Sequence, residues 1–310
     1  MVSISSLINR KGAKELRDEV LSHREDRGTE LTTAILEHFD NINSFDVVTD
    51  RVIEEIILQD ELSGLQKDSE RIFPKGITSF SPSSAYKCER ELYFKAKRYA
   101  KIQEDRFPYQ RRWARNGTAV HGATQKDLLY AEKYLDKPLF KVARTKKENR
   151  PAWEKNIRTG KQFTHQDQSF QLYGMMDGVL IYQKDNSKIG FEFKTKSTTL
   201  GAIGNYRMKE LQPDHKEQCV AYSLLFGVTE FLVVYESLAK DGWTKGIDAK
   251  PDMRAFYLAV TKEEQQRLLD KFATVAAMID NDEIPPADES KCFFCPYKPY
   301  CQALEGEVAA

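Results

Sequence analysis

Apolar positions in residues 1–70 recur at helical spacing. Leu31, Ala34, Ile35, His38, Phe39 and Ile42 form one run, and Val52, Ile53, Ile56 and Ile57 a second. Asn41, Asn43, Ser44 and Asp46 punctuate the gap between them. The polar stretch from Ser63 to Gly76 ends in Pro74 and Gly76 and predicts a linker, placed at 71–78. A new unit starts at Ser79. Ser81 or Ser83 can cap a helix whose first turn suits Pro82 and which carries Cys88. Asn116–Tyr134 predicts a second helix, with His121 on it. Residues 141–170 are basic and polar with little apolar periodicity, and predict a loop or mobile excursion. Beyond them the period becomes that of strands. Residues 172–182 and 188–194 read as a hairpin turned at QKDNS, and 230–238 and 254–260 as further strands. A helix is expected over 215–226. Another runs from a cap at Thr261, with Glu263 and Glu264 in its first turn, to Ile279.

Composition adds a charge asymmetry. Net charge is zero. Residues 1–70 nevertheless hold 8 Lys/Arg and 16 Asp/Glu, a net of −8, whereas residues 87–161 hold 21 and 9, a net of +12. A basic central segment suits phosphate binding, although lysine-rich solvated helix faces and loops produce the same count. No stretch is long and apolar enough to span a bilayer, and no apolar segment follows a basic start. A soluble, cytoplasmic protein is expected, with its five cysteines as thiols or metal ligands rather than disulfides.

Hydrolysis of a phosphodiester calls for carboxylates that converge on a hard divalent cation, and for a positive group beside them. Residues two apart on a strand share a face. Glu192 and Lys194 therefore point one way, with Phe191 and Phe193 pointing the other. Asp177, from the preceding strand between Gly174 and Gly178, can join them. An E-x-K strand alone is also what an ordinary solvent-facing strand looks like. Gln218 and Tyr222, four apart on the expected helix, present one face. His121 lies in NGTAVHG upstream. This ordered series, G-x-x-D then E-x-K then Q-x-x-x-Y, resembles the RecB-like branch of the PD-(D/E)XK nuclease superfamily. Met176 stands where the superfamily name has proline.

The resemblance implies that Asp177, Glu192 and His121 hold Mg2+ or Mn2+, with the Phe193 carbonyl as a further ligand. It implies that Lys194 orients the attacking water and stabilises charge on the phosphate. Gln218 and Tyr222 would sit beside the metal and help to position DNA.

Cys88 upstream and Cys292, Cys295 and Cys301 downstream bracket this region. One cysteine before the core and three after it resembles the iron–sulfur nucleases of that branch, such as the CRISPR-associated adaptation nucleases and AddB-type helicase–nucleases. That implies a 4Fe-4S cluster; zinc is the alternative occupant of four thiolates. A clasp closing a loop of about 200 residues counters a closure entropy on the order of 5 kcal/mol. Its role would be structural. Cys219 reads as a small buried thiol.

Aromatics interleave with cations in the basic segment: Tyr86, Tyr93, Phe94, Tyr99, Phe107, Tyr109 and Trp113 among Arg106, Arg111, Arg112 and Arg115. Such a pattern can stack the bases of a single strand, and for Tyr93 and Phe94 it can equally be a core stripe. The expected architecture is α/β. A restriction-endonuclease-like core, a central mixed sheet flanked by helices, occupies 79–310. An acidic helical region (1–70) precedes it, and the cysteine clasp closes it. The expected function is a metal-dependent DNA nuclease, an exonuclease on single-stranded or end-bearing DNA, in recombination, replication or repair. A flap or branch endonuclease would use the same chemistry. The alternatives from other classes are a non-catalytic DNA-binding module with a redox-sensing cluster and a zinc-stapled RNA-directed protein. Residues 1–70 are expected to offer a partner or self-association surface. No G-x-x-x-x-G-K-[ST] phosphate loop is present, so a helicase motor is not expected.

Overall fold

A computed structural model describes the backbone of residues 10–46, 48–68, 76–102, 107–196 and 198–308. Two helices come first, α1 (Arg10–Asn43) and α2 (Arg51–Asp68). They are followed by β1 (Thr78–Phe80), α3 (Glu89–Ala96), α4 (Pro108–Tyr134) and β2 (Phe140–Val142). Next come β3 (Thr159–His165), β4 (Gln168–Gly174), β5 (Gly178–Tyr182) and β6 (Lys188–Lys196). The chain ends with α5 (Pro213–Phe226), β7 (Glu230–Ser237), β8 (Met253–Ala259), α6 (Lys262–Asp280) and α7 (Lys298–Val308). The fold class expected from the sequence is the one observed, a mixed sheet flanked by helices.

The central sheet has the order β2-β5-β6-β7-β8. Its β6 and β7 are parallel and its other pairs antiparallel. The parallel pair needs a crossover, and α5 supplies it. Pro213 opens α5 and Gly227 ends it at φ 71°, a left-handed position where glycine is unstrained. Alternation along β6 splits the core. Ile189, Phe191 and Phe193 join Leu232 and Val234 on one face, against α1 and α4 residues. Phe231, Val233 and Tyr235 join α5 and α6 residues on the other. Glu192 thus points to the α5 side. Helix α1 contributes Leu31, Ile35, Phe39 and Ile42 to the same core as the sheet. His38 is buried there edge-on to Phe140, and burial pushes its imidazole down to about 4.

Several expectations are corrected. Residues 141–170 are not a loop. They hold most of β2, a 3-10 turn (Glu154–Asn156), β3 and the start of β4. β3 is the edge of a second sheet, ordered β1-β4-β3, and its mostly polar, solvent-facing residues leave no apolar alternation to read. Residues 172–182 are not one strand: Met175–Asp177 break it, and the chain leaves one sheet for the other. Gly174 makes that exit possible, since a Cβ there would stand 2.6 Å from Pro82. Ser63–Asp68, assigned to the linker, is helical within α2, and 69–75 lie outside the described residues. α4 begins at Pro108, not Asn116, with proline in its first turn. Cys88 caps α3 instead of lying within it, because Ser81 and Pro82 start a separate 3-10 turn (Pro82–Ser84). Thr261 caps α6 as expected, accepting the Glu264 N–H.

Candidate active site

Five short-range bonds assemble the site around the middle of β6. The Phe193 N–H donates to Asp177 Oδ2 at 2.9 Å, which ties the chain break before β5 to the middle of β6. Lys194 Nζ donates to Glu192 Oε1, and Gln218 Nε2 reaches the same oxygen at 2.9 Å from α5. Gln218 also donates to the Tyr222 hydroxyl at 2.6 Å. From α4, Gln125 Nε2 donates to the Asp177 carbonyl at 3.3 Å. His121 stands between two acids: its Nδ1 is 3.9 Å from Asp177 Oδ2 and its Nε2 3.2 Å from Glu154 Oε1. The structure therefore brings His121, Asp177, Glu192, Lys194, Gln218 and Tyr222 together. Tyr222 is buried and meets Glu192 through Gln218.

Electrostatics at this point are unbalanced. Glu192 is 0% exposed, and its Oε2 is buried without a hydrogen-bond partner among the described residues. Burial, with Asp177 adding repulsion, pushes its carboxyl up to about 7. Burial also raises Asp177, opposed by His121 and Lys194. Burial alone would lower Lys194, but the carboxylates of Glu192 and Asp177 outweigh it and hold the ammonium above its ordinary value. A buried acid with an orphaned oxygen and a part-buried acid beside it, both resisting ionisation, fit a divalent cation. The residues present are therefore suited to the hard-cation chemistry the fold implies. Among the described residues, no three His, Cys, Asp or Glu side chains stand in a metal-holding arrangement, here or at the cysteines.

A cleft of about 820 Å³ opens beside these groups. His121, Glu154, Phe193 and Lys194 line it, together with Asp60 and Glu61 of α2. Gly117 faces Thr195 so closely that a Cβ would lie 2.9 Å from its hydroxyl. Sequence reasoning missed Glu154 and Gln125. The signal for Glu154 was Pro151-Ala152-Trp153, an apolar and buried triplet inside an otherwise polar run.

At the far end of the chain, the Asp288 N–H donates to Cys88 Sγ at 3.3 Å and Cys292 Sγ meets the Asp288 carbonyl at 3.6 Å. Cys295 and Cys301 pack with Tyr93, Phe94 and Tyr297. Burial pushes the Cys295 thiol up to about 11. Tyr93 and Phe94 are thus core residues, the plainer of their two readings. Cys219 is a fully buried free thiol, as expected. Arg106 lies outside the described residues. No helix among the described residues is long and apolar enough to cross a membrane.

The family model for the PD-(D/E)XK nuclease superfamily matches residues 84–302. No curated protein matches the chain. Among solved structures, SSO0001 is similar at 13% identity and a TM-score of 0.42, over 82% of this chain and 97% of that one. An alkaline exonuclease (LHK-Exo) from Laribacter hongkongensis is similar at 10% identity and a TM-score of 0.37, over 75% of this chain and 95% of that one. The matched span holds Asp177, Glu192 and Lys194 in one hydrogen-bonded cluster, and the chain belongs to the PD-(D/E)XK nuclease superfamily.

Proposed function

We propose that this nuclease is a metal-dependent deoxyribonuclease of the RecB-like branch that acts on single-stranded or end-bearing DNA. The observation that carries the reading is the buried Glu192 with its orphaned oxygen, beside the part-buried Asp177 and the Lys194 ammonium. Asp177, Glu192, His121 and the Phe193 carbonyl would hold Mg2+ or Mn2+. When bound, the ion polarises the phosphoryl group and acidifies water. Lys194 keeps its proton, so it acts as a donor to developing negative charge or to the attacking water, not as a base. Gln218 holds Glu192 from α5 and leaves the Tyr222 hydroxyl proton free to donate. The Phe193 N–H holds Asp177, so both acids keep their places before substrate arrives.

The single-strand preference is supported by α4. Tyr109, Trp113, Gly117, His121 and Gln125 step by four along one slowly winding face. Tyr109 and Trp113 are exposed, with rings 5.2 Å apart, and Arg111, Arg112 and Arg115 are exposed beside them. Bases stacked on these rings would be led toward His121. Four thiols at one end of the fold, two of them bonded to Asp288, support a structural 4Fe-4S cluster, with zinc as the alternative. Leu58, Leu62 and Leu65 form an exposed stripe on α2, the part of residues 1–70 that supports self-association or a protein partner. A solution mass unchanged by Leu62→Glu, with no partner recovered, would argue against that use.

A substrate panel tests the function. End-labelled single strands, duplexes with open ends, duplexes with blocked ends, and RNA are incubated with Mg2+ or Mn2+. Degradation of single-stranded or open-ended DNA, with blocked duplex and RNA spared, is expected. Efficient cutting of blocked duplex would replace the exonuclease with an endonuclease, and exclusive cutting of RNA would reject the DNA assignment.

A further inference from the structure

Glu154 is held in an arrangement that its own backbone disfavours. Its φ is 41°, in the left-handed region where a side chain is strained. It opens the 3-10 turn Glu154–Asn156, with its side chain part-exposed. Its N–H donates to the Met176 carbonyl at 2.7 Å, one residue before Asp177. The same two segments are joined again where the Val179 N–H donates to the Ala152 carbonyl at 3.0 Å. The Glu154 carboxylate stands 3.2 Å from His121 Nε2, and Gln125, one turn further along α4, holds the Asp177 carbonyl at 3.3 Å. The His121 Nε2 is buried and makes no hydrogen bond among the described residues; the Glu154 oxygen is an ion-pair contact at 3.2 Å, off the line of the N–H. Glu154 is therefore tethered to Asp177 through its backbone and to the α4 face of the site through its side chain.

This contact has a chemical consequence for His121. A neutral imidazole carries one N–H, and a carboxylate at one nitrogen keeps the proton there. With Glu154 at Nε2, the lone pair is left on Nδ1. That nitrogen faces Asp177 Oδ2 at 3.9 Å, too far for a hydrogen bond. That lone pair and carboxylate oxygen face each other near the orphaned Oε2 of Glu192, while the Lys194 ammonium is held on the other Glu192 oxygen. We propose that Glu154 is the positioning residue of the metal site: it fixes His121 as the Nε2–H tautomer and aims Nδ1 with Asp177 at one divalent cation. This rests on the metal-dependent reading above. Glu154 itself acts through His121 and is not a ligand.

The strained backbone supplies a clean variant. Glu154→Gly removes the carboxylate and relaxes φ, so loss of the fold is not its expected effect. Calorimetric titration with Mn2+, without DNA, compares wild type, Glu154→Gly, Glu154→Gln, His121→Ala and the double variant His121→Ala/Glu154→Gly. Thermal melting of each metal-free protein runs alongside. We expect Glu154→Gly to melt no lower than wild type and to bind Mn2+ about 10- to 100-fold more weakly. Glu154→Gln keeps an oxygen that accepts the Nε2 proton and should restore affinity to within a few-fold. In the His121→Ala background Glu154→Gly should have no further effect. Wild-type affinity in Glu154→Gly would overturn the proposal. So would a full additional loss in the double variant, which would make Glu154 a direct ligand. If wild type binds no Mn2+, the metal-dependent reading falls and this inference with it. If wild type binds and Glu154→Gly binds equally, only the inference falls.

Discussion

Glu192→Gln should make the metal-free protein more stable at alkaline pH while it abolishes cleavage. Glu192 is fully buried, and burial with Asp177 nearby lifts its carboxyl from 4.5 to about 7. A carboxyl whose folded pKa is raised contributes stability that is fully present below about 4.5 and is lost as pH rises through about 7. At about 1.36 kcal/mol per pH unit the full displacement corresponds to about 3 kcal/mol, of which about 2–3 kcal/mol falls between pH 5 and pH 8. Glutamine has no such titration. The stability of Glu192→Gln relative to wild type should therefore swing by that amount in its own favour between the two pH values. Urea unfolding in chelator reads the swing. Adding Mn2+ at pH 8 should favour wild type instead, because a cation at 100-fold its Kd stabilises the protein that binds it by about 2.7 kcal/mol. Equal differences at pH 5 and pH 8 would refute the claim that this site is electrostatically incomplete without a cation.

Trp113→Ala should weaken binding of a single-stranded oligonucleotide by about 5- to 150-fold, the range of one lost base stack, as read by fluorescence anisotropy at fixed salt. Unchanged affinity would remove α4 as the strand's path. Cys292→Ala should lose visible absorbance from the cluster and much of its solubility, and its melting temperature should fall. A soluble, fully active Cys292→Ala protein with unaltered absorbance would show that no cluster depends on this thiol.

The elements that carry chemistry are legible where a short period defines them. On β6, alternation alone puts Glu192 and Lys194 on one side and Phe191 and Phe193 on the other, and the two cores observed on either side match it. The four-residue step from Gln218 to Tyr222 likewise survives as a 2.6 Å hydrogen bond on α5. The apolar run of α1 is legible as a helix. That its buried face shares a core with the sheet depends on long-range packing, which no local period reports. β3 escapes because an edge strand that sends only Phe163 to the core looks like any polar segment. Glu154 escapes for a different reason. Its position depends on 152–154 approaching 176–179, a contact between segments with no shared spacing, and on a φ that glutamate seldom adopts. The break at Met175–Asp177 is hidden by continuous apolar and small residues, and it places Asp177 against β6.

Cleavage of end-labelled single-stranded DNA by wild type and by Lys194→Ala, with Mg2+ or Mn2+ and with chelator, decides whether these residues are an active site. Lys194 donates to Glu192 at the cleft and stays charged there, so its loss should leave the fold intact and lower the rate by at least about 100-fold. Wild-type cutting that requires the metal, and near-absence of cutting by a folded Lys194→Ala protein, is the expected result. Equal, metal-independent cutting by both proteins would contradict it.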